Sequence, residues 1–420
     1  MKPWQMLKNY DDDVYECIEK ELKRQSESLE LIASENFASM EVISSMGNVM
    51  TNKYAEGRPN KRYYSGCEFI DQVENLAIDR VTKLFGCEYA NVQPHSGAQA
   101  NAAVLLALCE PGASILGLDL SHGGHLSHGS FVNSSGIYYK PHFYQLNPQT
   151  ERLDYTAIKK QAEELRPKVI IAGASAYPRS IDFSKFREIA DSVGAYLLAD
   201  VSHIAGLIVA GLHENPFPHA HVVTSTTHKT LRGPRGGVIL WSDNALTVQI
   251  NKSVFPGIQG GPLEHIIASK AVAFKEAASK EFKQYQSQII RNTECLANEL
   301  KNYGFHLVSG GSDNHLLLID LTKSHPEVTG KDFEQALETA GITTNKNTVP
   351  GETRNPFVTS GIRIGTPAVT SRGMKEEEMK KIAFLIKEAM THRENKTHLL
   401  ALGKEVKLLT HSFPLYPDWK

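Results

Sequence analysis

Cysteine is scarce in this chain and scattered: five among 420 residues, at Cys17, Cys67, Cys87, Cys109 and Cys295, with no Cys-x-x-Cys pair. That speaks against a cysteine zinc site and a disulfide framework, and for a reducing compartment. No window approaches the roughly 18 consecutive apolar residues of a membrane span. Met1 to Asp13 hold no apolar signal stretch, and Asp11, Asp12 and Asp13 count against an organellar transit sequence, so a cytoplasmic location is expected. Charge of one sign is lacking too. A formal net charge of -2 gives no electrostatic reason to expect nucleic acid. There is no Walker loop, because Lys229 follows His228 rather than glycine, and there is neither an internal repeat nor a low-complexity linker.

What is present is ordinary in bulk: 41% hydrophobic and 22% charged residues, as in soluble globular proteins. The length exceeds what one core serves, so we expect an N-terminal arm over 1–50, a large domain over 51–280 and a small C-terminal domain over 281–420. Helical spacing runs from Tyr10 to Leu31 and from Asp71 to Phe85, where Gly86 stops it. Strand-length apolar runs follow at Ser114–Leu118, Lys168–Ala172, Ala195–Ala199, His221–Val223 and Gly237–Trp241. Helical patterns intervene at Gln99–Leu108, Tyr155–Leu165 and Phe183–Val193. Strands alternating with helices predict an α/β fold with a mostly parallel central sheet covered on both faces. Leu263–Tyr303 lacks Gly and Pro and reads as two helices meeting near Lys280. Beyond it, strands are predicted at Phe305–Ser309, Leu316–Leu321 and Ile362–Gly365, with helices at Lys331–Ala340 and around Met379–Met390, giving an α+β domain.

Several stretches carry chemistry. Pro94-His95-Ser96-Gly97-Ala98-Gln99 feeds an Ala-rich helix. Such a start presents unpaired backbone N–H groups to a phosphate, with Gly97 permitting close approach, or it is an ordinary N-cap. Asp200 ends the run Ala195–Ala199, at the sheet edge where α/β proteins bind ligands. An acid there can keep a cofactor's ring nitrogen protonated, cap a helix or ligate magnesium. Lys229, in Thr226-Thr227-His228-Lys229-Thr230, is either a surface charge or an amine made nucleophilic by a partly dry, cationic setting. His122, His125 and His128 invite a zinc reading. Their segment has no HExxH, no carboxylate and two glycines, so the preferred reading is His125 laid flat on a ring, the other two structural, and no metal. Arg363, in an apolar strand, needs an anion: a substrate carboxylate or an internal salt-bridge partner.

Together these stretches resemble the serine hydroxymethyltransferase family of fold-type I pyridoxal phosphate enzymes. The resemblance runs from Leu31-Ile32-Ala33-Ser34-Glu35-Asn36 to Thr359-Ser360-Gly361-Ile362-Arg363. Between them it takes in Thr51-Asn52-Lys53-Tyr54-Ala55-Glu56-Gly57, Arg62-Tyr63-Tyr64, Val92–Gly97, His122–His128, Thr226–Gly237 and Phe255–Pro262. It implies that Lys229 carries pyridoxal 5'-phosphate as a Schiff base, Asp200 holds the pyridinium and His125 stacks on the ring. Ser175 and His203 would flank the phenolic oxygen. Ser96, Gly97 and His228 would hold the phosphate, with Tyr54 and Gly261 of a second subunit. Arg363 with Ser34 would clamp the substrate carboxylate, near His203. Glu56 and Tyr64, also from the second subunit, would lie beside the serine hydroxyl and the folate, and His228 and Thr226 join the catalytic group. Leu120, Gly124, Leu126 and Asn347 would contact the pterin.

The reaction implied is serine plus tetrahydrofolate giving glycine, 5,10-methylenetetrahydrofolate and water. It would run in a homodimer with shared sites or in a tetramer. Glu56 suits proton transfer if its carboxyl is tuned toward neutrality or starts protonated. A folate-independent aldolase on the same scaffold would use Lys229, Asp200 and Arg363 equally; Glu56, Tyr64 and Asn347 favour folate. Three residues depart from the family pattern: Ser65 for glycine, Pro178 for serine and Ser202 for alanine. If position 65 needs positive φ, serine there costs about 1 kcal/mol.

Overall fold

The computed structural model describes residues 2–419. Its first long helix, α1 (Asp12–Glu27), starts where Asp11 accepts the Val14 N–H and the acids Asp12 and Asp13 face the positive end of the helix dipole. Packing then divides the chain into two compact units: residues 41–287, and residues 1–40 together with 288–420.

The larger unit is built on a seven-stranded sheet. In chain order its strands are β1 (Tyr89–Asn91), β2 (Ser114–Leu118), β3 (Lys140–Tyr144), β4 (Val169–Gly173), β5 (Tyr196–Asp200), β6 (Val222–Thr226) and β7 (Gly237–Trp241). Their spatial order is β1-β7-β6-β5-β4-β2-β3. Only β7 is reversed, antiparallel to both β6 and β1, so the other six run one way. Strands β4, β6 and β7 are buried at every position, as expected when both faces are covered. Helix α2 (Glu68–Phe85) starts three residues before the predicted point and ends at Gly86 in the left-handed conformation. Helix α3 (Gly97–Leu108) lays Ala100, Ala103, Val104 and Leu105 on Ile115, Val169, Ile171, Leu198, Val222, Ile239 and Trp241 to form the core. Helices α4 (Tyr155–Leu165) and α5 (Phe183–Val193) start from Asp154 and Asp182 caps. Helices α6 (Glu264–Ala277) and α7 (Lys280–Asn302) break where the sequence placed the break.

The smaller unit carries a three-stranded antiparallel sheet, with β8 (Leu316–Asp320), β9 (Asn345–Asn347) and β10 (Gly361–Gly365) in the order β8-β10-β9. Besides α1, its helices include α8 (Gly330–Thr339), α9 (Glu376–Thr391) and α10 (Lys396–His411). The predicted strand Phe305–Ser309 does not form. Leu307 makes one isolated bridge to Ile319, and Val308–Gly310 is a 3-10 turn with Ser309 at φ 59°. The glycines at 310 and 311, with φ of 77° and 146°, turn the chain away from the ladder. Leu29–Glu30 pairs in parallel with Ile342–Thr343, and Leu29 and Leu31 enter the same core as Leu300, Phe333, Ile362 and Ile386. Among the described residues, no helix is long and apolar enough to cross a membrane.

Candidate active site

Topology gathers the candidates at one edge of the larger sheet. The carboxyl ends of β1, β2, β4, β5 and β6 all open there, and the reversed β7 contributes its amino end. Immediately beyond those ends lie Ser96 and Gly97, then Leu120, Gly124 and His125, then Ser175, Asp200 with His203, and Thr226, His228 and Lys229. The predicted cofactor-side residues of this unit therefore share one rim, as expected for an α/β ligand site.

Asp200 is the last residue of β5 and is buried. Its Oδ2 accepts from Asn101 Nδ2 and lies 2.8 Å from His128 Nε2. Its Oδ1 accepts from the Ser202 backbone N–H at 3.1 Å and from Ser202 Oγ at 2.6 Å. Burial opposes the charge, but His128, His125 and the Ser202 hydroxyl outweigh it and hold the carboxyl well below its ordinary range. Asp200 is thus an ionised, oriented carboxylate inside the protein. Asn101 is itself aimed: its Oδ1 accepts from Thr224 on β6 at 2.6 Å, and its Nδ2 also reaches Ser127 Oγ, which lies 2.7 Å from His125 Nδ1. One chain of hydrogen bonds therefore joins His125 to Asp200. The three histidines take separate partners, since His122 Nδ1 accepts the Leu146 N–H.

Ser96 caps α3, its Oγ accepting the Gln99 N–H at 3.1 Å. The ordinary N-cap is real, and the helix start still faces the rim. A side chain at Gly97 would put Cβ 2.6 Å from Thr226 Cγ2, so only glycine lets α3 approach the end of β6. Lys229 is 8% exposed. Burial, then the charges of Arg235, Lys229 and Lys270, push the His228 imidazole down to about 3. His228 is therefore neutral, its buried Nδ1 has no hydrogen-bond partner among the described residues, and it reports a concentration of positive charge. An orphaned ring nitrogen, convergent cations and a helix start fit a phosphate group.

Lys270 of α6 is 1% exposed, and its Nζ donates to the carbonyls of Val92, Pro94 and Gly237 at 2.7, 3.0 and 2.9 Å. Three acceptors match the three N–H bonds of the protonated amine, while burial lowers the group to about 7. The lysine thereby ties the Pro94–Gly97 turn to the amino end of β7, where Gly237 N–H also donates to Pro94 O. Ser175 Oγ donates to Gly124 O at 2.6 Å and holds the loop after β2. Leu120 and Leu126 are exposed on that loop.

A second grouping in this unit contains Tyr54, Glu56, Tyr64 and Gly261. The Tyr54 and Tyr64 rings lie 5.1 Å apart, Gly261 faces the Tyr54 ring and Gly260 faces Glu56. Ser65 is not among the non-glycine residues with positive φ; that role falls to Gly66 at 73°, so the anticipated strain at Ser65 does not arise. Ser202 adds a donor to Asp200 that alanine would lack.

In the smaller unit, Arg363 stands on β10 beside Asn345 of β9. Its Nε donates to Asn345 Oδ1 at 3.1 Å and its Nη2 to Ser34 Oγ at 3.3 Å. Burial lowers the guanidinium to about 10, with the Glu35 carboxylate opposing, and it stays charged. Asn347, two residues along β9, donates to Thr348 O.

Sequence reasoning missed Asn101 and Lys270, and it set His128 aside as structural. Asn101 and Lys270 had a faint signal: an amide well inside an Ala-rich helix, and a lysine inside Ala-Ser-Lys-Ala-Val-Ala. A protein-family model described as serine hydroxymethyltransferase matches residues 7–386.

Proposed function

The chain belongs to the serine hydroxymethyltransferase family, and from that premise we propose how its own residues divide the work. It is a pyridoxal phosphate-dependent one-carbon transferase of serine and glycine metabolism, interconverting serine plus tetrahydrofolate with glycine plus 5,10-methylenetetrahydrofolate. The cofactor, when bound, supplies an aldehyde that takes up an amine and a ring that withdraws electrons from the amino acid's α-carbon.

Lys229 is the attachment point, an amine just past β6 on the rim that Asp200 shares. Asp200, with its plane set by four donors, keeps the ring nitrogen protonated, and His128 maintains that ionisation. His125 stacks on the ring, its own plane steadied through Ser127. Ser175 and His203 flank the phenolic oxygen. The Ser96–Gly97 helix start and the unpartnered edge of His228 would hold the phosphate. Thr226 packs against Gly97 and closes that wall. Arg363 with Ser34 receives the substrate carboxylate in a two-pronged contact.

Glu56 and Tyr64 move the proton of the serine hydroxyl, and Leu120, Gly124, Leu126 and Asn347 meet the pterin. Tyr54, Glu56, Tyr64 and Gly261 serve the site of a second subunit in a homodimer. The exposed Val49, Tyr54, Tyr63, Tyr64 and Phe69 around them suit a protein partner. A cytoplasmic location fits the free cysteines.

The carrying observation is the buried Asp200 carboxyl, gripped by Asn101, His128 and Ser202, on the same sheet edge as the buried Lys229 amine. Replacing Lys229 with Gln should abolish turnover of serine with tetrahydrofolate and the cofactor's visible absorption as purified. Full activity in K229Q would remove the assignment.

A further inference from the structure

Helices α9 and α10 are joined by a short turn, and three side chains converge on it. Glu388 lies in the last turn of α9, and His392 follows four residues later with its N–H bonded to Glu388 O. His398 stands in the first turn of α10, its backbone N–H held by the Asn395 cap at 3.1 Å. Glu388 Oε2 is 3.6 Å from His392 Nε2 and 3.5 Å from His398 Nε2. The three atoms lie within 4.8 Å of one another. Two ligands on one tetrahedral ion at about 2.1 Å are separated by roughly 3.4 Å, so these spacings match coordination edges.

Other features point the same way. Lys387 Nζ holds the other carboxylate oxygen, Oε1, at 2.6 Å, which fixes the plane and leaves Oε2 to the imidazoles. His398 Nε2 is buried without a hydrogen-bond partner among the described residues. The His392 and His398 rings lie 3.8 Å apart, tilted by 36°, so the two imidazoles face the turn together.

We propose that Glu388, His392 and His398 bind a borderline divalent transition ion, zinc in particular, with one position left to solvent. Two nitrogens and one oxygen suit zinc and disfavour magnesium and calcium, which require oxygen donors. The ion would fasten the carboxyl end of α9 to the start of α10. This inference is independent of the cofactor assignments.

The test is calorimetric titration of untagged holoenzyme with zinc and with magnesium, in a Cys17→Ser background because the Cys17 thiol is exposed and would compete. One zinc site per chain is expected, weakened at least about tenfold by H398Q and by E388Q, with no magnesium binding. Zinc should raise the melting temperature of the Cys17→Ser protein and raise that of either variant distinctly less at the same concentration. No zinc uptake at about 0.1 mM, or equal uptake in the Cys17→Ser protein and an H392Q/H398Q double variant, would overturn the proposal.

Discussion

Lys270 shows how one side chain can govern a site it does not enter. Its Nζ donates to three carbonyls, two of them, Val92 O and Pro94 O, on the segment that leads into α3. Lys270→Met removes a donor from three buried carbonyls, of which Pro94 O keeps the Gly237 N–H, each donor lost without replacement costing about 1–3 kcal/mol. We expect a lower melting temperature together with roughly tenfold weaker pyridoxal phosphate affinity, read by titrating cofactor back into resolved enzyme. A fall in melting temperature with unchanged affinity would make its role purely structural. At this scale the residues legible in the sequence were those in short contiguous motifs: Ser96 with Gly97, Asp200, and Lys229. The network behind them was not legible, because its partners are 99 residues apart for Asn101 and Asp200, 72 for His128 and Asp200, and 178 for Lys270 and Val92. No local pattern reports such pairings.

Among the elements, the first and last helices are tied by Arg372. Its guanidinium donates to the carbonyls of Gln25, Ser26 and Ser28 at the end of α1 and to Thr410 and Phe413 at the end of α10. Gln25 and Ser26 stand in the last turn of α1, where helix carbonyls lack intrahelical donors, and Thr410 stands in the last turn of α10, so one side chain bridges two helix termini. Arg372→Met should lower the urea midpoint by an amount equivalent to roughly 3 kcal/mol or more. A loss below about 1 kcal/mol would mean that water replaces the guanidinium. Long helices and central strands were legible because their periodicity is imposed by burial. Strand β3 was not: it is an edge strand containing Pro141, and its Lys-Pro-His-Phe-Tyr carries no apolar run. β1 is only three residues long. Phe305–Ser309 misled for the opposite reason, an apolar start whose following glycines deny it a ladder.

For the whole molecule, the shared-site arrangement makes a quantitative expectation. Lys229→Gln and Glu56→Gln homodimers should each be inactive or nearly so. Random reassortment yields about half heterodimers, each with one intact site if the two residues come from opposite chains, so about a quarter of wild-type activity should return. No recovery in purified heterodimers would place both residues in one chain's site. The division into two units was only partly open to sequence reading, because the participation of residues 1–40 in the C-terminal unit depends on pairing Leu29–Glu30 with Ile342–Thr343 across most of the chain. That pairing bears on how the protein is born. On a ribosome, Leu29 and Leu31 emerge early but meet their neighbours only after the last third has been made, so they remain sticky for nearly the entire synthesis. A nascent chain of this kind has reason to engage a chaperone at its leading end, and an early stop codon would strand that end as surely as it removes the tail.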